Sequence, residues 1–220
     1  MNPTQTSVKI ELDDAVLSGD LHVPQETQRI VLFVHGSGSS RFSPRNKRVA
    51  AQLNQAGLAT LLFDLLTAQE EEADRLSGEY RFNINLLASR VVATLNWLQE
   101  KFSETLSVGL FGASTGAAAA LIAATKLPNK VGAVVSRGGR PDLASNHLHM
   151  IKAPTLLIVG GEDRVVIELN RNAFDVLVAE KKLEIIKGDS HLFEEPGALD
   201  RVAQLSIESF SRYLQDKNKT

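Results

Sequence analysis

The chain has 220 residues, 43% of them hydrophobic and 23% charged, with Lys+Arg 24 against Asp+Glu 26 and a formal net charge of −2. That length supports one large core and is too short for two comfortable domains, so residues 1–220 read as a single domain. The balanced charge leaves no basic excess for a nucleic-acid partner, and the absence of cysteine excludes disulfides, thiolate metal sites and a cysteine nucleophile.

The opening MNPTQTSVKIELDD has neither a basic start nor an apolar stretch, so it does not read as a secretory signal. No apolar run approaches the ~18 residues a membrane span needs. A cytoplasmic protein without a membrane partner is expected. Strand-like runs at Val8–Leu12 and Val16–Val23, broken by Asp13-Asp14, predict an antiparallel hairpin. Ile30–Val34 is an unbroken apolar run, as expected for a strand buried on both faces. Pro44–Ala56 reads as a helix closed by Gly57, and Ala59–Phe63 as a strand. The acidic run Glu70 to Asp74 reads as a solvated loop. Asn83–Phe102 is a long amphipathic helix with Leu87, Val91, Leu95 and Leu98 on one stripe.

Further along, Val108–Phe111 is a strand and Thr115–Leu127 a helix. Strands follow at Val131–Val135, Thr155–Val159 and Leu183–Ile186, with helices at Glu168–Glu180 and Leu199–Leu214. Strands alternating with helices imply crossover connections and a mostly parallel sheet covered on both faces, an α/β fold.

Between the strand and helix of residues 107–127 lies Gly112-Ala113-Ser114-Thr115-Gly116. This is the strand–turn–helix setting of a nucleophile elbow, in which a tight turn projects the serine hydroxyl outward. Ligands of a parallel sheet bind at the carboxyl ends of its strands. Asp163 and His191 fall at that edge too, after Thr155–Val159 and Leu183–Ile186. A serine hydroxyl needs an imidazole to take its proton. The imidazole in turn needs a carboxylate to hold its tautomer and balance its transient charge. Ser114, His191 and Asp163 therefore form the candidate catalytic set, with Glu162 and Asp142 as alternative acids. The developing oxyanion needs fixed N–H donors. Thr115, first in its helix, offers one amide. Ser37, in the loop His35-Gly36-Ser37-Gly38-Ser39-Ser40, offers the second. His35 reads as a scaffold of that loop. His147 and His149, two residues apart, fall on different helix faces and do not suit a metal. Asp64 reads as a brace between loops, and Asp189 as a turn residue bonding to nearby backbone.

His35-Gly36-Ser37-Gly38, the Ser114 elbow, Gly160-Gly161-Glu162-Asp163 and Ser190-His191-Leu192-Phe193 occur in that order. Together they resemble the α/β-hydrolases of the dienelactone-hydrolase-like branch, over roughly residues 7–215. The resemblance implies an eight-stranded sheet with strand 2 antiparallel, helices on both faces, and a Ser114–His191–Asp163 triad. Dienelactone hydrolase itself uses a cysteine nucleophile, which this chain lacks, so its substrate is not carried over. The chain is also similar to small bacterial hydrolases, some of them fused to phosphoribosyltransferase-like domains.

Arg41, Arg137 and Arg140 sit in loops at the active edge. Either they pair with nearby acids, or they hold a substrate carboxylate or phosphate, whose geometry a guanidinium matches. The stretch Arg137–Pro154 is too short for a large lid. The expected activity is serine hydrolysis of a carboxylic ester or lactone of a small soluble metabolite, an anionic one if the arginines face it. It calls for no metal or cofactor and leaves monomer and homodimer open. Thioesterase, acyltransferase or short-peptide hydrolase chemistry on the same residues is the alternative, as is a non-enzymatic binding module.

Overall fold

A computed structural model describes residues 4–24, 27–102 and 105–215. Its centre is an eight-stranded sheet in the order β1-β2-β4-β3-β5-β6-β7-β8. The strands are β1 (Thr4–Glu11), β2 (Val16–Val23), β3 (Arg29–Val34), β4 (Ala59–Phe63), β5 (Ser107–Ala113), β6 (Val131–Arg137), β7 (Thr155–Gly160) and β8 (Lys181–Ile186). β2 runs antiparallel to both β1 and β4, and every other neighbouring pair is parallel. The expected α/β-hydrolase architecture, with its second strand reversed, is the one observed.

The helices are α1 (Pro44–Gln55), α2 (Ala68–Ser77), α3 (Ile84–Lys101), α4 (Thr115–Lys126), α5 (Arg164–Val176) and α6 (Ala198–Tyr213). Alternation along the strands decides which helix packs where. Val31, Phe33, Phe111 and Val135 point to the face covered by Leu53 of α1 and Val202 and Phe210 of α6. Leu32, Val34, Leu110 and Val134 point to the opposite face, against α3, α4 and α5. The inner strands β3, β4 and β5 are buried along nearly their whole length, as their unbroken apolar runs require. Helix α4 is enclosed on all sides, with Ala117 to Ala124 buried. Alanines make that possible, because small side chains let a helix lie close to the sheet and to α3 at once. The described helices include none long and apolar enough to cross a membrane.

One expectation fails here. The acidic run is no solvated loop but part of α2. The Thr67 hydroxyl accepts from the Glu70 amide at 3.2 Å, and the Glu70 carboxylate accepts from the Thr67 amide at 2.7 Å. This capping box starts a helix within the run, and Glu70 and Glu71 in its first turn suit the positive end of the helix dipole. Asp74 from the run is buried, only 2% exposed. Helix α5 also begins earlier than its apolar pattern indicated, because Asp163 caps it by accepting from the Val166 amide. The Arg137–Pro154 connection forms a 3-10 segment, Pro141–Met150, packed against α4 and α5 rather than a lid.

Candidate active site

β5 delivers Ser114 at the carboxyl edge of the sheet, between β3 and β6. Ser114 has φ 51° and ψ −124°, a left-handed conformation that a serine adopts only when its surroundings force it. The surroundings do so. The Ser114 amide donates to the Arg137 carbonyl at 3.2 Å, and its own carbonyl accepts from the Ala117 and Arg140 amides, both at 3.1 Å. A β-carbon on Gly112 would collide with the Ala117 backbone, and one on Gly116 with the carbonyls of Val34 and His35. Both glycines are thus demanded by close approach of backbone to backbone.

β7 and β8 bring the other two members together. His191 Nδ1 lies 2.5 Å from Asp163 Oδ2. A neutral imidazole donates its Nδ1–H to that carboxylate and leaves Nε2 as the acceptor. The two loops interlock: the Glu162 amide donates to the Asp189 carbonyl at 3.0 Å, and a side chain on Gly160 would strike the Ser190 and Asp189 carbonyls. Of the three acids considered, Asp163 alone bonds the histidine. Asp142 is taken up by a two-bond pairing with Arg140 at 2.8 and 2.7 Å. Ser114 and His191 border the same segment: Arg137 accepts from Ser114, and Gly138 at φ +52° lies against His191. Among the described residues no hydrogen bond joins the Ser114 hydroxyl to the imidazole. Such bonds are commonly long before substrate arrives. The His191 side chain is 38% exposed, so the site is open. The larger grooves lie elsewhere, one of about 640 Å³ beside α1, lined by Asp20, His22 and Lys47, and one of about 240 Å³ lined by Thr155, Lys181 and Tyr213.

The loop after β3 is pinned by His35, whose Nδ1 lies 2.9 Å from the Gly36 carbonyl and whose Nε2 accepts from the Leu65 amide at 3.1 Å. The Leu65 bond requires the neutral ring, since a protonated Nε2 cannot accept, and burial lowers the pKa below the ordinary 6.5. The unfolded chain therefore binds a proton below about pH 6.5 that the folded one refuses, and stability falls as pH drops from there towards the lowered value. The expected slope is at most about 1.4 kcal/mol per pH unit, for one proton. Calorimetric melts of wild type and His35→Gln from about pH 7.5 to 5 should differ in slope by this component.

The Ser37 amide does not stand free for a substrate oxygen. It donates to the Thr115 hydroxyl at 2.8 Å. The arginines separate as well. Arg41 pairs with Asp64 through both backbone amide and guanidinium, with Asp20 at 3.5 Å. Asp64 is thus the loop brace expected, and Arg41, like Arg140, is held by carboxylates rather than free for substrate. Arg137 differs. It is 5% exposed, bonds Asn46 Oδ1 at 3.3 Å, lies 5.7 Å from the Phe193 ring and has no carboxylate partner among the described residues. Burial, with the Arg45 charge beside it, pulls its pKa down to about 10, so it remains a cation at neutral pH. Asp189 bonds through its backbone amide and carbonyl, while its buried Oδ2 lacks a partner among the described residues; burial first and the Glu195 charge second raise its pKa.

The sequence placed Asp74 in a solvated run and singled out no role for Arg81. Asp74 accepts from the amides of Tyr80 and Arg81 at 2.7 and 3.0 Å and from Arg81 Nε at 2.5 Å. Arg81 thereby lines a narrow crevice against His35 to Ser39. The signal was present in the Thr67–Glu70 capping box, which turns Asp74 inward.

A model of the dienelactone hydrolase family matches residues 17–214. The chain belongs to the dienelactone hydrolase family. The crystal structure of a dienelactone hydrolase from Anabaena variabilis is 55% identical, with a TM-score of 0.96 over 98% of this chain and 100% of that one. An esterase from Pyrococcus furiosus shares the fold at 17% identity, with a TM-score of 0.77 over 97% and 92% of the two chains. Mycobacterium tuberculosis relatives provisionally named phosphoribosyl transferases are 51% identical over 208 residues, covering 94% of this chain and 46% of theirs. The chain thus spans about half the length of those relatives.

Proposed function

We propose that this protein is a serine hydrolase that cleaves a carboxylic ester or lactone of a small soluble metabolite. The observation that carries the proposal is the 2.5 Å His191–Asp163 pair at the edge where the elbow holds Ser114 at φ 51°. Strain of that kind collects at functional sites. Ser114 Oγ attacks the carbonyl as His191 Nε2 takes its proton, and Asp163 stabilises the imidazolium. The Thr115 amide, at the positive end of α4, faces the oxyanion. The alcohol leaves with the proton from His191. Water, activated by the same imidazole, then hydrolyses the acyl-enzyme. Membership of a hydrolase family supports this reading. The test is a fluorophosphonate probe, followed by mass-spectrometric location of the adduct and turnover of esters graded by chain length and charge. Adduct on Ser114 with ester turnover is expected. A thioester preferred by orders of magnitude would replace the esterase reading.

Arg137 favours an anionic substrate. A buried guanidinium without a carboxylate is costly, and such groups concentrate where a ligand completes the pairing. Asn46 and the Arg45 charge lie beside it. Arg137→Gln should raise KM for carboxylate-bearing esters about tenfold or more, in line with a charge-assisted hydrogen bond, and leave neutral esters unchanged. Equal shifts for both series would refute the preference.

A further inference from the structure

The Ser37 amide and the Thr115 side chain are joined across 78 positions of the chain by one 2.8 Å hydrogen bond. An N–H directed at a hydroxyl cannot serve an incoming carbonyl oxygen with full strength at the same time. Thr115 Oγ1 is differently placed. Having accepted from Ser37, it keeps its own hydrogen, and no acceptor for that hydrogen is found among the described residues. Within a helix a threonine hydroxyl usually bonds back to a carbonyl one turn earlier. Thr115 is the first residue of α4, so no earlier turn exists. Its backbone N–H, one of the unpaired donors of a helix start, lies on the same residue. Gly36 keeps the two loops in contact, since a β-carbon there would lie 3.0 Å from both the Ala113 carbonyl and Ser114 Cβ.

Resting on Ser114 as the nucleophile, we propose that the Thr115 hydroxyl is itself an oxyanion donor and that the Ser37 amide acts through it. The order of donation is Ser37 N–H to Thr115 Oγ1, then Thr115 O–H to the substrate oxygen. Each bond in such a chain polarises the next, and the Ser37 bond fixes the hydroxyl rotor before substrate arrives. Thr115 thus supplies two donors, amide and hydroxyl, from one residue next to the nucleophile. The charge they meet exists only in the tetrahedral intermediate, so the contribution belongs to kcat rather than to substrate binding.

The test compares Thr115→Val, which keeps the shape and removes the hydroxyl, with Thr115→Ser, which restores it. Acylation is followed with a short-chain p-nitrophenyl ester, and oxyanion binding with phenylboronic acid, which forms an anionic tetrahedral adduct on the serine. Thr115→Val should lose about a hundredfold in kcat and a comparable factor in boronate affinity, with KM nearly unchanged. Thr115→Ser should recover most of both. Thermal melts establish folding, and Thr115→Ala is read in the same way if the valine variant does not fold. Unchanged kcat and boronate affinity in Thr115→Val would overturn the assignment. So would a loss confined to stability or KM. A faster Thr115→Val would also overturn it, since the hydroxyl would then be blocking the oxyanion seat. Wild type that neither labels with fluorophosphonate nor turns over esters would remove the serine-hydrolase reading itself. Active wild type with an indifferent valine variant removes the Thr115 assignment alone.

Discussion

Replacing Ser114 by alanine is expected to lower kcat for ester hydrolysis about 10⁶-fold and to abolish fluorophosphonate labelling. The loss is so large because histidine, acid and oxyanion donors act on one bond-forming oxygen and accomplish little without it. The fold should survive. Ser114 is held by its backbone N–H and C=O, which bond Arg137, Ala117 and Arg140, and its side chain makes no cap bond to α4. Alanine at φ 51° is no worse off sterically than serine. A variant that still labels would place the nucleophile elsewhere. A melting temperature close to wild type would show that the lost activity is chemical and not a folding defect.

The second large effect is expected at Asp163, where asparagine should lower kcat about 10⁴-fold with little change in KM. The carboxylate accepts the imidazole Nδ1–H and so leaves Nε2 unprotonated to receive the serine proton. An asparagine amide can present its NH₂ to Nδ1 instead, which puts the ring proton on Nε2, where it cannot act as a base. Nor can asparagine balance the imidazolium. Asp163 also caps α5 through the Val166 amide, and asparagine preserves that bond, which keeps stability out of the comparison. Glu162→Gln and Asp142→Asn are the controls. The Glu162 carboxylate makes no hydrogen bond to His191, and Asp142 is paired with Arg140. Loss at Glu162 equal to that at Asp163 would reassign the acid.

Much of the fold was legible because it is written in neighbouring residues. The apolar run Ile30–Val34, the stripe Leu87–Val91–Leu95–Leu98 and the Gly112–Gly116 elbow each carry their own local constraint. Ser114 and His191 could be named because their places after β5 and β8 follow from the α/β topology. Helix α2 was missed for a local reason: a charge run looks solvated until its capping box is weighed.

The sequence by itself determined the order of strands and helices, the sharp turn at Ser114 and the edge at which reactive side chains gather. All three depend on backbone sterics and on which faces are apolar, properties of short consecutive stretches. Only the tertiary structure decided partners. It chose Asp163 over the adjoining Glu162, attached Arg41 to Asp64 and Asp20, left Arg137 without a carboxylate among the described residues, and turned the Ser37 amide onto Thr115. A hydrogen bond or ion pair turns on a few tenths of an ångström between segments far apart in the chain. That distance is set by the packing of the whole sheet and its helices, and no short stretch of residues contains it.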